Sequence, residues 1–117
     1  MLSRDEILAS RSLPTETVNV PEWGGEIIVR AMTAAEKDDY ESSLLVGKGN
    51  KREVSLQNVR ARLCVRCMVD EQGGRIFEDD DARELGKQSA CAIDRVYEVA
   101  ARLNGQTDED IEELAKN

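Results

Sequence analysis

Cys64 and Cys67 are spaced for chemistry: a Cys-x-x-Cys pair can exchange disulfides or hold a metal. A redox pair of this kind uses a helix N-terminus to lower its thiol pKa, whereas Cys64-Val65-Arg66-Cys67 falls mid-helix on an apolar side. A structural zinc site needs four ligands, and the chain holds no histidine and only one further cysteine, Cys91. The pair therefore reads as core cysteines. Gly47-Lys48-Gly49-Asn50-Lys51 lacks the spacing and terminal Ser/Thr of a phosphate-binding loop and reads as a connector. Glu78-Asp79-Asp80-Asp81 is contiguous, whereas a calcium loop alternates its carboxylates around a glycine. Acids in such a run suit a helix start, where free amides attract negative charge. No serine or cysteine can have a histidine base, and 24 acids spread over solvated faces single out no acid–base pair. The expectation is no catalytic residue, no cofactor, no metal and no enzyme.

The 117 residues carry a net charge of -8. That length suits one domain, and only Trp23, Tyr40, Phe77 and Tyr97 supply rings, so the core should be thin. No apolar stretch approaches a membrane span. The start, Met1 to Glu6, has acids where a signal peptide has an apolar run. An odd cysteine number fits a reducing cytosol. An acidic, soluble, non-secreted binding module is the result. The charge is uneven: residues 48–66 hold Lys48, Lys51, Arg52, Arg60, Arg62 and Arg66 against Glu53 alone, and the flanking thirds are acidic. Near a phosphate backbone that segment would meet repulsion from the rest of the molecule. Pairing with the acidic thirds, or with the next copy, is the better reading, and no nucleic acid or membrane partner is expected.

Two apolar, β-branched runs flank Pro21-Glu22-Trp23-Gly24-Gly25, which predicts a hairpin over about 15–32. Val18 and Val20 share a face of its first strand. On the second, Ile27, Val29 and Ala31 share one face and Ile28, Arg30 and Met32 the other, so both faces are covered or one is left for a partner. Ser3 with Glu6, and Thr33 with Glu36, have capping-box spacing. Helices are expected over about 33–46, 55–69, 79–86, 89–103 and 107–115. The first of these has a narrow stripe, Tyr40 and Leu44, and should lie on the surface. Helix 55–69 is apolar over roughly two-thirds of its circumference and should be central. Ser55, Asn58, Arg62 and Arg66 form its polar side, and Arg60 must reach water or a carboxylate. In helix 89–103, Ala92, Ile93, Val96, Tyr97, Val99, Ala100 and Leu103 face inward, and Glu98 and Arg102 are spaced to pair. Cys91 lies among its outward residues. The fold expected is α+β, mainly helical, an N-terminal β-hairpin on a small helical bundle.

Val18-Asn19-Val20-Pro21-Glu22-Trp23-Gly24-Gly25 and Val29 to Glu36 resemble the N-terminal half of the small tail assembly chaperones of long-tailed bacteriophages. Asn58 to Leu63, the turn from Val69 to Phe77 and the closing Glu112 to Asn117 are similar too, so the resemblance spans nearly the whole chain. It implies a single chaperone-like domain over 1–117, a non-catalytic factor of the infected host's cytoplasm. Such a factor binds the tape measure protein, keeps it soluble, helps recruit tail tube protein through a frameshifted longer form, and is absent from the mature virion. Trp23, Leu44, Leu45, Ile111 and Leu114 are the candidate handholds for that partner, or else completions of a thin core. The basic segment between acidic thirds suggests self-association, head to tail. A structural tail completion or connector protein, or an acidic inhibitor mimicking nucleic acid, stands as the alternative.

Overall fold

Val18 and Val20 alternate with Thr17 and Asn19, and that period of two makes β1 (Thr15–Val20) a strand with one apolar face. In the computed structural model, which describes residues 1–106, a short 3-10 turn at Pro21–Trp23 leads into β2 (Gly25–Arg30). Gly24 closes the turn at φ 72°, a conformation glycine adopts without steric cost. The antiparallel register runs from Thr15 opposite Arg30 to Val20 opposite Gly25, so Val18, Val20, Ile27 and Val29 line one face. Upstream, Ser3 caps α1 (Arg4–Ala9) by accepting the Glu6 amide at 3.2 Å, and no residue of that helix is buried.

The Thr33 capping box forms in full: its hydroxyl accepts the Glu36 amide (3.1 Å) and Glu36 accepts the Thr33 amide (2.8 Å). The helix it opens, α2 (Ala34–Ser43), differs from expectation in two ways. It stops before Leu45–Val46, which is a strand, β3, paired with β4 (Glu53–Val54) across the 47–52 loop. Gly47 sits at φ 102° in that loop, where a Cβ would run into the Lys51 carbonyl. Its narrow stripe is also not on the surface, because Tyr40 and Leu44 are both in the core. Arg62 explains the stop. Its guanidinium donates to the carbonyls of Ser43 and Ser55 and so closes the C-terminal end of α2.

The central helix, α3 (Val59–Cys67), is shorter than the 55–69 expected. Asn58 precedes it in a left-handed conformation (φ 57°) and spends its side-chain amide on the Ala82 carbonyl (2.6 Å). At the other end, Arg75 donates twice to the Val65 carbonyl (3.2 and 3.0 Å). Met68–Val69 then extend as β5, which pairs antiparallel with Ile28 and Val29, so the sheet order is β1-β2-β5. Arg66, expected on the polar side, is 8% exposed and is the one buried charged residue among those described. It donates to Asp39 (2.8 Å) and Asp79 (3.3 Å), with its guanidinium 5.8 Å from the centre of the Tyr40 ring. Arg60 meets Asp94 at 3.4 Å, which resolves its place on the apolar arc.

After β5, Asp70 accepts the amides of Gln72 and Gly74, both at 2.9 Å, and fixes the turn. The acidic run forms a 3-10 turn, Asp79–Asp81, leading into α4 (Ala82–Leu85). Asp81 accepts the Glu78 amide (2.8 Å), the helix-start use of an acid. The last described helix, α5 (Ala90–Leu103), buries Ala92, Ile93, Val96 and Ala100. Arg102 reaches across to Glu16 of β1 (2.7 and 2.8 Å) instead of pairing with Glu98. Helices α3 and α5 pack on each other, α5 lies under β1 and β2, and α2 and α4 flank α3. The result is an α+β fold in which the hairpin rests on a helical layer. The helix expected at 107–115 lies outside the described residues.

Two predictions follow from α3. Asp39 and Asp79 are 71% and 51% exposed at their side chains, and Arg66 is not. Arg66→Met leaves Asp39 to water and Asp79 to its other partner, Arg75, and should cost about 1 kcal/mol in urea unfolding. Replacing both acids with Asn strands the guanidinium and should cost about 3 kcal/mol; the reverse order would contradict the buried-charge account. Cys64 and Cys67 are fully buried, and burial pushes both thiols up, Cys67 to about 11, whereas Cys91 is exposed. A thiol-specific reagent at neutral pH should modify Cys91 rapidly and the pair only on unfolding. Equal rates for all three would contradict the placement.

Candidate functional site

The tip of the β1–β2 hairpin does not stand free. Trp23 is half-buried and donates through Nε1 to the Gln88 side chain (3.2 Å), just beyond α4. Beside it, Arg95 of α5 donates twice to Glu22 (2.9 and 3.1 Å) and holds that carboxyl below the usual carboxylate range. The tip is thereby tied to the helical layer, with an open groove between them. Trp23, Ile27, Met68, Ile76, Phe77 and Leu85 line it, with Glu84 and Gln88 on its border, and its volume is about 380 Å³. Each wall has a distinct local origin. Trp23 comes from the 3-10 turn, Ile27 from β2, Met68 from β5, Ile76 and Phe77 from the extended run after the Asp70 turn, and Leu85 from α4.

The groove has few groups that could do chemistry. Its side chains are apolar or amide, apart from one carboxylate already paired with Lys87 at 3.1 Å. Among the described residues, no three acidic or cysteine side chains converge where a metal ion could be held. What such a surface can do is bury apolar side chains of another molecule, at roughly 25 cal/mol per Å² removed from water.

The expected handholds divide. Trp23 stands on the groove. Leu44 is 1% exposed and belongs to the core, so it is not available as a handhold: the helix turns that side under α3. Leu45, the next residue, is 39% exposed on β3 and adjoins exposed Val46, but both are away from the groove lining. Ile111 and Leu114 lie outside the described residues. Sequence reasoning missed Ile27, Ile76, Phe77 and Leu85 as neighbours of Trp23. The signal in the sequence is Ile76-Phe77, an apolar pair straight after the Gly73-Gly74 turn; Ile76 is 46% exposed.

Half of the basic segment is consumed within the fold. Arg60, Arg62 and Arg66 each meet carboxylates or carbonyls. Lys48, Lys51 and Arg52 are exposed around the β3–β4 loop and have no ion pair among the described residues. No described helix is long and apolar enough to cross a membrane.

A family model described as phage tail assembly chaperone matches residues 6–117. Among solved structures, the chain is similar to the tail assembly chaperone of bacteriophage HK97, with a TM-score of 0.58 and 16% identity over 89% of this chain and 95% of that one. At that identity the likeness shows the fold alone. No curated protein matches the chain. The family match covers nearly the whole sequence, and it is the ground for the assignment: the chain belongs to the phage tail assembly chaperones.

Proposed function

We propose that this chain binds the tape measure protein of its phage, keeps it soluble until tail tube subunits assemble around it, and leaves before the virion is mature. The observation that carries the reading is the groove at the hairpin tip, an open apolar cleft on a molecule of net charge -8. A holding factor needs both properties. The apolar floor shields side chains that would otherwise aggregate, and the charged exterior keeps the complex in solution. Open and solvent-facing, the groove suits reversible holding, because association also loses translational and side-chain freedom. The work is done in the cytoplasm of the infected host, and no substrate is transformed.

Copies of the chain associate with one another in this reading. Lys48, Lys51 and Arg52 on the β3–β4 loop offer a cationic knob to the acidic surface of the next copy, a heterologous contact that need not close. A longer form of the chain recruits tail tube protein.

Co-expression with the tape measure protein tests the reading. The chain should raise the soluble fraction of that protein and be captured with it. Trp23→Ala should weaken capture about tenfold, the scale of an aromatic anchor. It should lower unfolding stability by only about 1 kcal/mol, since the side chain is half-buried. Unchanged capture would remove Trp23 from the contact. No effect of the intact chain on solubility or capture would overturn the function.

A further inference from the structure

Beyond Ile27 and Ile76 the groove continues. The same two side chains also line a second open cleft of about 560 Å³, whose floor includes Ile28 and Val69. The two clefts meet at these side chains in one track, apolar at the Trp23 end and bordered by Thr17, Glu26, Asp70, Glu71 and Gln72 at the other. It runs from Leu85 of α4 past Trp23 and around the tip end of β2, where β5 reaches only as far as Ile28. The charged side chains along the track are of one sign. Glu84, paired with Lys87, stands at one end and Glu26, Asp70 and Glu71 at the other, and no Lys or Arg lines either cleft. Glu26 and Glu71 are exposed and have no ion pair among the described residues. Arg75, four residues after Glu71, is turned away to the Val65 carbonyl and Asp79.

We propose that the track receives an amphipathic helix whose apolar stripe is flanked by lysine or arginine. This deepens the proposed function by giving the chemistry of the segment held, and it rests on that reading. The floor is built from side chains of a turn, two strands, an extended run and a helix, and β5 already occupies the edge of β2 at Ile28 and Val29. Beyond β5 only Gly25 to Ile27 of β2 keep a free edge on this side, a short ladder for an added strand, so recognition falls to side chains spaced i, i+3 or i+4 and i+7 on a helix. The unpaired carboxylates then choose among helices. Basic flanks bring opposite charges together at the rim, and acidic flanks bring like charges together in a molecule already strongly negative. The rival occupant is a second copy, presenting Leu45, Val46 and the cations of its β3–β4 loop.

The test uses two synthetic helical peptides without tryptophan. They share one leucine stripe, and one carries lysine flanks and the other glutamate. Trp23, the chain's single tryptophan, reports binding to the full chain by fluorescence. The lysine peptide should bind about tenfold tighter at low salt, with the gap narrowing at about 0.5 M salt. The Glu26→Lys, Glu71→Lys double variant should keep its melting temperature and lose the preference. Equal affinities, or a preference that survives in the double variant, would overturn the proposal. So would a double variant that loses self-association in sedimentation while its peptide affinities stay unchanged, because the track would then belong to another copy. Tape measure capture without any peptide preference overturns this inference and leaves the proposed function standing. A peptide preference without tape measure capture does the reverse.

Discussion

Helix α3 must be enclosed, and its arginines must still find partners; most of the architecture follows from meeting both demands. Leu63, Cys64, Val65 and Cys67 are wholly or almost wholly buried, so α3 cannot lie at the surface. Yet Arg62 and Arg66 leave from the same helix, and Arg75 returns to its last turn. Each guanidinium is spent on a chain segment that would otherwise be loose. Arg62 fixes the end of α2 and the start of the Ser55 segment, Arg66 ties α2 to the acidic turn, and Arg75 holds the run that contains Ile76 and Phe77. Arg66 is buried, and a buried charge is costly unless paired, so its two contacts leave α2 and the acidic turn few alternative positions. The walls of the groove are among the segments so fixed.

Local signals in the chain were read from the sequence with little loss. The Thr33 box forms, the Pro21–Gly25 cluster turns a hairpin, and α5 buries the small and branched side chains that its periodicity marks. What was not legible depends on distant partners. A two-residue strand such as Met68–Val69 has no pattern of its own and exists because β2 lies beside it. Arg66 sits on the polar side of a helical wheel, and only the arrival of Asp39 and Asp79 turns that side inward. The thin apolar stripe of the 33–46 segment points Leu44 to the surface. The Ser43 end, held by Arg62, carries it into the core. The groove was half-visible: Trp23 could be picked out as an exposed ring in a turn, but its apolar neighbours come from four other elements.

The chemistry of the surface matches a task of holding without transforming. Many carboxylates are committed to the fold, among them Glu16, Glu22, Glu36, Asp39, Asp79 and Asp94, each paired with an arginine. Glu26 and Glu71, which line the second cleft, are among those without such pairing. Apolar floor and acidic rim together suit the proposed contact, made through side chains that can form and release. A deeper, closed pocket would hold its ligand more tightly and give it up more slowly.

Hydrogen exchange by mass spectrometry, comparing the chain alone with the chain mixed with the tape measure protein, tests the proposed contact face without altering either molecule. The account predicts slowed exchange confined to residues 22–28, 68–72 and 76–88, the backbone beneath the track. Protection centred on α1 or on the β3–β4 loop, with those segments unchanged, would contradict it.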